Sequence, residues 1–251
     1  MKMLITTVAA LVLVTGCTGT QPPPPCLAAH GSYAVEYANT AGTPAGTCAL
    51  TNSIVGVQKY NQVDGGMPTL AIRPIEIGWN DTGPGTISIG TFKAAKPDSD
   101  EFCQVDTFAN DSVSGTLTFK FTNVKLHVSS RAPGTQMAFD VVVTDTDATN
   151  PCSATYHANA GWPVVACAFI DNGHPPDDKN CATVDASLGD PPGYYGWSYL
   201  ALNPDFDVKC VVDPNDWNGQ WNGYNIGAFC VPRNPIPSFC PEGGCSWRPK
   251  E

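Results

Sequence analysis

Cysteine is the residue that most constrains how this chain can fold. The sequence holds eleven cysteines, and ten of them lie beyond residue 25. These ten are Cys26, Cys48, Cys103, Cys152, Cys167, Cys181, Cys210, Cys230, Cys240 and Cys245. An even number in an exported chain predicts disulfide bonds, here up to five, whose connectivity the sequence leaves open. Zinc ligation is the alternative, but Cys-x-x-Cys pairs beside histidines do not occur, so we predict no metal site and no cofactor.

The first sixteen residues predict export. Lys2 precedes an apolar run from Leu4 to Val14, which has the length of a signal-peptide core and falls short of the roughly 20 residues of a membrane-spanning helix. The following Val14-Thr-Gly-Cys17 resembles the bacterial lipobox. That resemblance implies cleavage before Cys17 and attachment of diacylglycerol and a further acyl chain, such as palmitate, to this cysteine. An ordinary cleaved signal followed by an incidental cysteine is the alternative.

Residues 17–25 predict a lipidated cysteine and a proline-rich spacer. The sequence TGTQPPPP favours extended polyproline II, which rises about 3.1 Å per residue and would lift the folded part off the lipid. Two or three acyl chains anchor a protein stably without a transmembrane helix. Thr18, rather than aspartate, follows Cys17, which favours the outer membrane in lipoproteins of this type. We therefore expect a membrane partner through the lipid, with the protein facing the periplasm or the cell surface.

The charge of the chain argues against nucleic acid as a partner. The formal net charge is -10, and charged residues make up 14% of the sequence. The sequence has no block of lysine and arginine that could follow a phosphate backbone or an anionic lipid surface.

Residues 26–170 predict an all-β domain. Apolar side chains alternate at Tyr33, Val35 and Tyr37, and again at other places. The further alternations are Ile75, Ile77 and Trp79, and Ile87 and Ile89. Because many short strands with Gly and Pro turns occur and no window has a helical period, the pattern predicts an antiparallel sandwich or barrel.

The stretch Leu117 to Val143 predicts two paired strands. Its apolar parity switches at Thr122-Asn123, which indicates a β-bulge or bend, and Ala132-Pro133-Gly134 predicts a turn. Residues 152–170 predict two more strands, separated by Gly161-Trp162-Pro163.

Residues 171–251 differ in composition. They are dense in Pro, Gly, Asn and Asp, and they hold five of the ten cysteines and four of the six tryptophans. Disordered tails are poor in both residue types. This stretch therefore predicts an irregular, disulfide-stapled extension packed on the β domain.

Six short segments beyond the anchor carry a family resemblance: His30–Tyr37, Gly56–Tyr60, Gly134–Met137, Cys152–Tyr156, Trp162–Cys167 and Asn203–Phe206 running to Cys210. In these segments the chain resembles uncharacterised myxobacterial-type secreted lipoproteins. The segments span most of residues 26–210, and the stretch after Cys230 lies outside the resemblance. The resemblance implies one secreted β-rich domain and no catalytic residue.

Titratable residues give no catalytic or metal-binding spacing. The histidines are His30, His127, His157 and His174, and the motifs HExxH and GxSxG do not occur. Acidic residues cluster at Asp98, Asp100 and Glu101, at Asp145 and Asp147, and at Asp177 and Asp178. Asp213, Asn215, Asp216 and Asn218, ending at Gly219, are the best group for calcium, although Trp217 stands where an oxygen ligand is wanted. Turn capping by their own side chains is the favoured interpretation.

The most distinctive local feature is a repeated Trp-Asn-Gly. It places Trp217, Asn218, Trp221, Asn222 and Tyr224 within eight residues, with Asn-Gly pairs that favour tight turns. Flat aromatic rings beside amides suit a sugar, and they also suit a protein partner. Core packing is the alternative interpretation, here and for the nearby Tyr194, Tyr195, Trp197 and Tyr199.

These features together predict a cell-envelope lipoprotein that is not an enzyme and binds a glycan or a protein. A structural envelope protein without a specific ligand is the second hypothesis. A hydrolase with an unrecognised acidic site is the third, and a pocket with two facing carboxylates would favour it.

Overall fold

The computed structural model describes most of the chain between Pro24 and Pro232. The described residues are 24–78, 81, 83, 85–129, 133–165, 167, 181, 208–212, 220, 221, 224, 225 and 228–232. The signal peptide, Cys17 and the first part of the spacer lie outside them. The strands are β1 Gly31–Thr43, β2 Asn52–Tyr60, β3 Thr69–Pro74, β4 Ser88–Thr91, β5 Phe102–Thr107, β6 Ser112–Ser114, β7 Leu117–Val128, β8 Pro133–Asp145, β9 Cys152–Gly161, β10 Val208–Val212, β11 Gln220–Trp221, β12 Tyr224–Asn225 and β13 Ala228–Pro232. A short 3-10 helix spans Gly46–Cys48.

Nine of these strands form one antiparallel sheet that curls into a nearly closed barrel. The order is β4-β3-β2-β1-β9-β8-β7-β5, and β6 pairs with β7. Three contacts in one antiparallel register join its two ends: Gly90 bridges Phe108, the Ala109 N–H donates to the Ile89 oxygen, and the Val113 N–H donates to the Gly85 oxygen. The predicted all-β class is confirmed, in its barrel form.

The barrel interior is a packed core. Alternate residues of every long strand point inward, and the largest fully buried ones include Tyr33, Phe119, Phe121, Phe139 and Tyr156. The rings of Phe121 and Phe139 meet edge to face, with centroids 5.3 Å apart. A barrel of about eight strands is just wide enough for side chains to fill it.

The predicted β-bulge in β7 is confirmed. The register with β8 shifts between Thr122 and Lys125, and Asn123 adopts a positive φ of 52°. Asparagine tolerates this left-handed conformation better than most residues. The extra residue returns Val124 and Leu126 to the interior, where both are fully buried.

Two predicted apolar faces are wrong. β3 ends at Pro74, so Ile75 and Ile77 lie beyond the strand, and Ile77 is buried in a turn closed by its N–H to the Pro74 oxygen. Trp79 lies outside the described residues. In β4 the inward residues are Ser88 and Gly90, which leaves Ile87 and Ile89 exposed.

The reason for the reversed face of β4 lies across the barrel seam. Ser88 Oγ is 2.8 Å from Ser112 Oγ, a buried hydrogen bond that satisfies both hydroxyls. The side chains of Val105 and Phe108 fill the space that a Cβ on Gly90 would need. Small residues therefore take the inward positions. The second strand predicted after Trp162-Pro163 is absent at residues 164 and 165, and residues 168–170 lie outside the described part.

Disulfide bonds are confirmed, and four are described. They are Cys26–Cys103, Cys48–Cys152, Cys167–Cys210 and Cys181–Cys230. Cys240 and Cys245 lie outside the described residues. The first bond holds the segment before β1 to the beginning of β5, and the second holds the 3-10 helix to the beginning of β9.

The barrel has two distinct ends because its strands alternate in direction. One end carries the starts of β1, β5 and β8, the loops 61–68 and 92–101, and the Cys26–Cys103 bond; we call it the tether end. The opposite end carries the 3-10 helix, the loop 75–87 and the Cys48–Cys152 bond; we call it the far end.

The described part of residues 171–251 forms short strand pairs. β10 pairs with β13, with Cys210 opposite Cys230, and β11 pairs with β12. β13 lies on the outer wall of the barrel, where Val231 packs against Ala34 of β1. Lys209 of β10 forms an ion pair with Glu36 of β1, with 2.7 Å between Nζ and Oε1. These pairs are more regular than the predicted irregular extension, and the domain boundaries at 170 and 171 stay a prediction.

Candidate functional site

The predicted aromatic site is described only in part. β11 and β12 pair antiparallel, with Trp221 opposite Tyr224 in the backbone register. Trp217, Asn218 and Asn222 lie outside the described residues, and so do the candidate calcium ligands at 213–219 and the aromatic residues at 194–199. Ligand binding by this segment stays a prediction.

The acidic clusters inside the described part act as turn caps. Asp98 Oδ1 accepts the N–H groups of Asp100 and Phe102 at 3.0 and 2.9 Å. Asp145 and Asp147 accept N–H groups two residues further along the chain, from Asp147 and Thr149. Asp177 and Asp178 lie outside the described residues.

Two histidines are held by carboxylates on the outer wall. His127 packs on the Phe102 ring and places Nε2 3.2 Å from Glu101 Oε2. Burial lowers the pKa of His127, and the Glu101 carboxylate opposes that shift. His157 places Nδ1 2.6 Å from Asp140 Oδ1. His30 is exposed, and His174 lies outside the described residues.

Three buried sulfur atoms lie close enough together to resemble a metal site. The Sγ atoms of Cys167, Cys181 and Cys230 all lie within 4.8 Å of one another. Each belongs to a disulfide bond, and a metal needs the free thiolate as its ligand. The four cysteines of these two bonds therefore act as a staple of the extension.

The β7 bulge opens a polar depression on the outer wall of the barrel. Its lining residues are Gln104, Asp106, Asn123, Val124, Lys125 and Asp140, and we call it the bulge groove. β5 supplies the first two residues, β7 the next three and β8 the last. Because the bulge interrupts the ladder between β7 and β8, the wall is not continuous at this point.

Hydrogen bonds fix the orientation of Asp140 in the bulge groove. Asn123 Nδ2 donates to Asp140 Oδ2 at 2.8 Å, while the other carboxylate oxygen contacts the His157 imidazole. The three residues come from three consecutive strands, so a hydrogen-bonded chain crosses β7, β8 and β9. Such a chain holds a carboxylate in one position before a ligand arrives.

The other side of the bulge groove carries mixed charge. Asp106 Oδ2 pairs with Lys93 Nζ at 2.8 Å, and both side chains are about half exposed. Gln104 Nε2 donates to Asp98 Oδ2 at 2.7 Å, which leaves its amide oxygen as an acceptor. Amide, ammonium and carboxylate groups thus line one depression, and this mixture matches hydroxyl groups, which both donate and accept.

The bulge groove also contains two carboxylates, the feature named above for a hydrolase. Asp106 and Asp140 both line it. Asp106 is paired with Lys93, and Asp140 is held by Asn123 and His157. Both carboxylates are thus held in place by neighbouring side chains, an arrangement that suits the binding of polar groups.

A second polar group is buried near the far end. Glu76 follows β3, and its Oε1 accepts a hydrogen bond from Ser53 Oγ. Its Oε2 and the hydroxyl of Tyr37 are buried and have no hydrogen-bond partner among the described residues, although the rest of Glu76 is partly exposed. Burial raises the pKa of Glu76, and the Ser53 bond opposes that shift. Burial also raises the pKa of Tyr37, and the charges of Glu76 and Tyr156 add to this.

Replacing Glu76 with glutamine is expected to remove a pH dependence of stability. Because the folded-state pKa lies above the ordinary value of 4.5, the folded state keeps a proton that the unfolded state loses. The wild type should therefore lose stability as the pH rises from about 4.5 through the folded-state pKa. Glu76→Gln should be more stable than the wild type at pH 7, by about 1–3 kcal/mol, and should lack this slope.

Urea denaturation between pH 4.5 and pH 8 measures this effect. Asp64→Asn, in an exposed loop, is the control and should keep the slope of the wild type. If the free energy of unfolding changes with pH equally in Glu76→Gln and in the wild type, a protonated Glu76 in the folded state is ruled out.

Comparison with known proteins identifies the family. The fold defines a disulfide-bonded β-barrel protein, a class typical of oxidising compartments outside the cytoplasm. The family model MlpA matches residues 31–163, which run from the start of β1 to just past β9. The chain belongs to the MlpA family.

One relative extends the match over nearly the whole chain. A predicted lipoprotein, MlpA, of Myxococcus xanthus is 28% identical over an alignment of 264 positions that covers 95% of this chain and 99% of the relative. The resemblance to myxobacterial lipoproteins is thereby confirmed. The expectation that it stops at Cys230 is wrong, because a match over 95% of 251 residues must run beyond that point. No solved structure matches the chain significantly. Within the described residues, no helix is long and apolar enough to cross a membrane.

Sequence reasoning found the bulge but not the groove beside it. The parity switch at Thr122-Asn123 predicted the bulge, and it could also have pointed to the groove, because bulges are frequent next to functional sites. Asp140 and His157 are 17 residues apart, and only the strand register places them side by side.

Proposed function

We propose that the protein is a cell-envelope lipoprotein, anchored through Cys17, whose barrel binds a hydroxyl-rich glycan in the bulge groove. The anchor would hold it in the outer membrane, facing the periplasm or the cell surface. The lipobox and the relative's printed description as a lipoprotein support the anchor.

The observation that carries the binding proposal is the fixed polar lining of the bulge groove. Asp140 is held by Asn123 and His157, so its carboxylate needs little reordering when a sugar hydroxyl donates to it. Lys125 and the Gln104 amide add a donor and an acceptor in the same depression. The packed interior of the barrel favours a ligand on the outer wall.

A non-enzymatic role agrees with the same geometry. The carboxylates of the bulge groove have partners, and the relative's printed description gives no reaction. A protein partner is less favoured here, because hot spots in protein interfaces centre on buried aromatic and arginine side chains, and the groove lining has neither.

The test compares two lysines on the outer face of β7. Lys125→Ala removes a groove donor, and we expect it to weaken glycan binding at least tenfold, the usual loss for a hydrogen bond to a charged group. Lys120→Ala removes the same charge from the exposed part of the same strand and should leave the affinity within twofold. Calorimetric titration of the folded protein with fragments of peptidoglycan and of surface polysaccharide measures both.

Two outcomes would contradict the proposal. If both variants weaken glycan binding equally, the lysines act only through their general charge and not through a contact in the bulge groove. Absence of saturable binding by any fragment would favour a structural role for the protein without a specific ligand.

A further inference from the structure

The chain reaches the barrel at its tether end. The Cys26 N–H donates to the Ala95 oxygen, and the Ala29 N–H donates to the Gly134 oxygen, both at 2.9 Å. The Cys26–Cys103 bond secures this segment covalently. Gly134 allows the crossing, because a Cβ at this residue would lie 2.2 Å from the Leu27 oxygen. The attachment to the tether end is therefore rigid up to Cys26.

The distance from this end to the lipid is short. Nine residue steps separate Cys17 from Cys26, and an extended chain spans at most about 3.6 Å per step, or about 32 Å in all. The longest strands, β1 and β8, have 13 residues, which correspond to about 43 Å along each strand. A lipid on Cys17 therefore confines the tether end to the membrane surface more tightly than the far end.

An exposed apolar loop lies at the same end. Val63 in the loop 61–68 has a relative exposure of 106%, and Tyr60 at the end of β2 is 47% exposed. The Gly65 N–H donates to the Gln62 oxygen, and the Gly66 N–H donates to Asp64 Oδ1, so the loop forms a closed turn around Val63. Tyrosine and small apolar residues together suit the interface between lipid and water.

The charges of this end do not supply the attraction. Lys59, Lys93 and Lys96 lie there beside Asp64, Asp98, Asp100 and Glu101. Among the described residues of this end, positive groups do not outnumber negative ones, so charge offers no net attraction to an anionic surface, and the contact we infer is apolar. The tether keeps the loop within reach of the bilayer, so that docking becomes an intramolecular step.

We propose that the loop 61–68 docks on the lipid bilayer that holds Cys17, with Val63 and Tyr60 entering its interfacial region. The far end then points away from the membrane, and the bulge groove stands on the outer wall between the two. This inference rests on the proposed lipidation of Cys17. It adds an orientation and a contact surface that lipidation alone does not require.

The test places a tryptophan at either end of the lipidated, full-length protein in phosphatidylcholine vesicles that contain brominated phosphatidylcholine. Val63→Trp reports on the docking loop. Val113→Trp is the matched control, since Val113 is 39% exposed on β6 near the far end. Bromine quenches tryptophan only at short range. For each variant, the quenching of the added tryptophan is the increase over the wild type. We expect this increase to be at least twofold larger for Val63→Trp than for Val113→Trp, and to persist in 0.5 M salt.

Flotation of the vesicles separates the two proposals. The wild type should float with the vesicles and Cys17→Ser should not. If the wild type does not float, the anchor proposal fails and the docking inference fails with it. If it floats but residues 63 and 113 are quenched equally, or residue 113 more strongly, the anchor stands and the docking inference is overturned.

Discussion

Removing the Cys48–Cys152 bond is expected to lower the free energy of unfolding by about 4–5 kcal/mol. The two cysteines are 104 residues apart, and closing a loop of about that length restricts the unfolded chain by an amount near 4.7 kcal/mol. The bond also holds the 3-10 helix to β9, where Cys48 is fully buried and its carbonyl accepts from the Tyr156 hydroxyl. The double variant Cys48→Ala/Cys152→Ala measures this loss without leaving a free thiol.

Hydrogen exchange of the slowest amides in β7 and β8 reports the result, because these amides exchange through global unfolding. The control is Cys181→Ala/Cys230→Ala, which removes a bond of the extension, outside the barrel. We expect the control to leave the slowest barrel amides almost unchanged. Equal losses in both variants would contradict a barrel whose stability is independent of the extension.

Replacing Phe139 with alanine is expected to cost about 3–5 kcal/mol. Phe139 is fully buried in β8, and its ring contacts those of Phe121 and Tyr37 at centroid distances of 5.3 and 6.3 Å. Truncating it removes buried apolar surface and leaves a cavity between rings from two other strands, β1 and β7, which cannot easily collapse. Urea denaturation measures the loss.

Two further variants make this result specific. Phe139→Leu keeps most of the volume and should cost less than half as much. Thr144→Ala lies on the outer face of the same strand, half-buried, and should stay within about 0.5 kcal/mol of the wild type. A cost below 1 kcal/mol for Phe139→Ala would mean that the ring lies outside the core of the barrel.

The sequence predicted the strands whose inner faces carry apolar side chains. Tyr33, Val35 and Tyr37, and the alternating residues of β7 and β8, follow the period of two because one face of each strand meets the core. The pattern misled at β4, where the core position opposite Val105 and Phe108 requires glycine. Local alternation cannot detect this, since the constraint comes from residues that follow β4 by more than ten positions.

The candidate site was less predictable than the fold. The bulge at Thr122-Asn123 is a local signal and was predicted, but the chain Asn123–Asp140–His157 depends on the register of three strands. The pairing of the cysteines depends on the fold in the same way. Trp221 and Tyr224 face each other in the register of β11 and β12, and the role of this segment as a ligand site stays open to the same binding experiments.

The most direct test of the binding account is to map, by amide chemical shifts, where a glycan fragment contacts the folded protein. We expect saturable shifts to centre on Gln104, Asn123, Lys125 and Asp140, with little change at the buried positions of β1 and β2. Shifts confined to the Trp221–Tyr224 hairpin would move the site to the extension and contradict the bulge groove. The absence of any saturable shift would contradict glycan binding altogether.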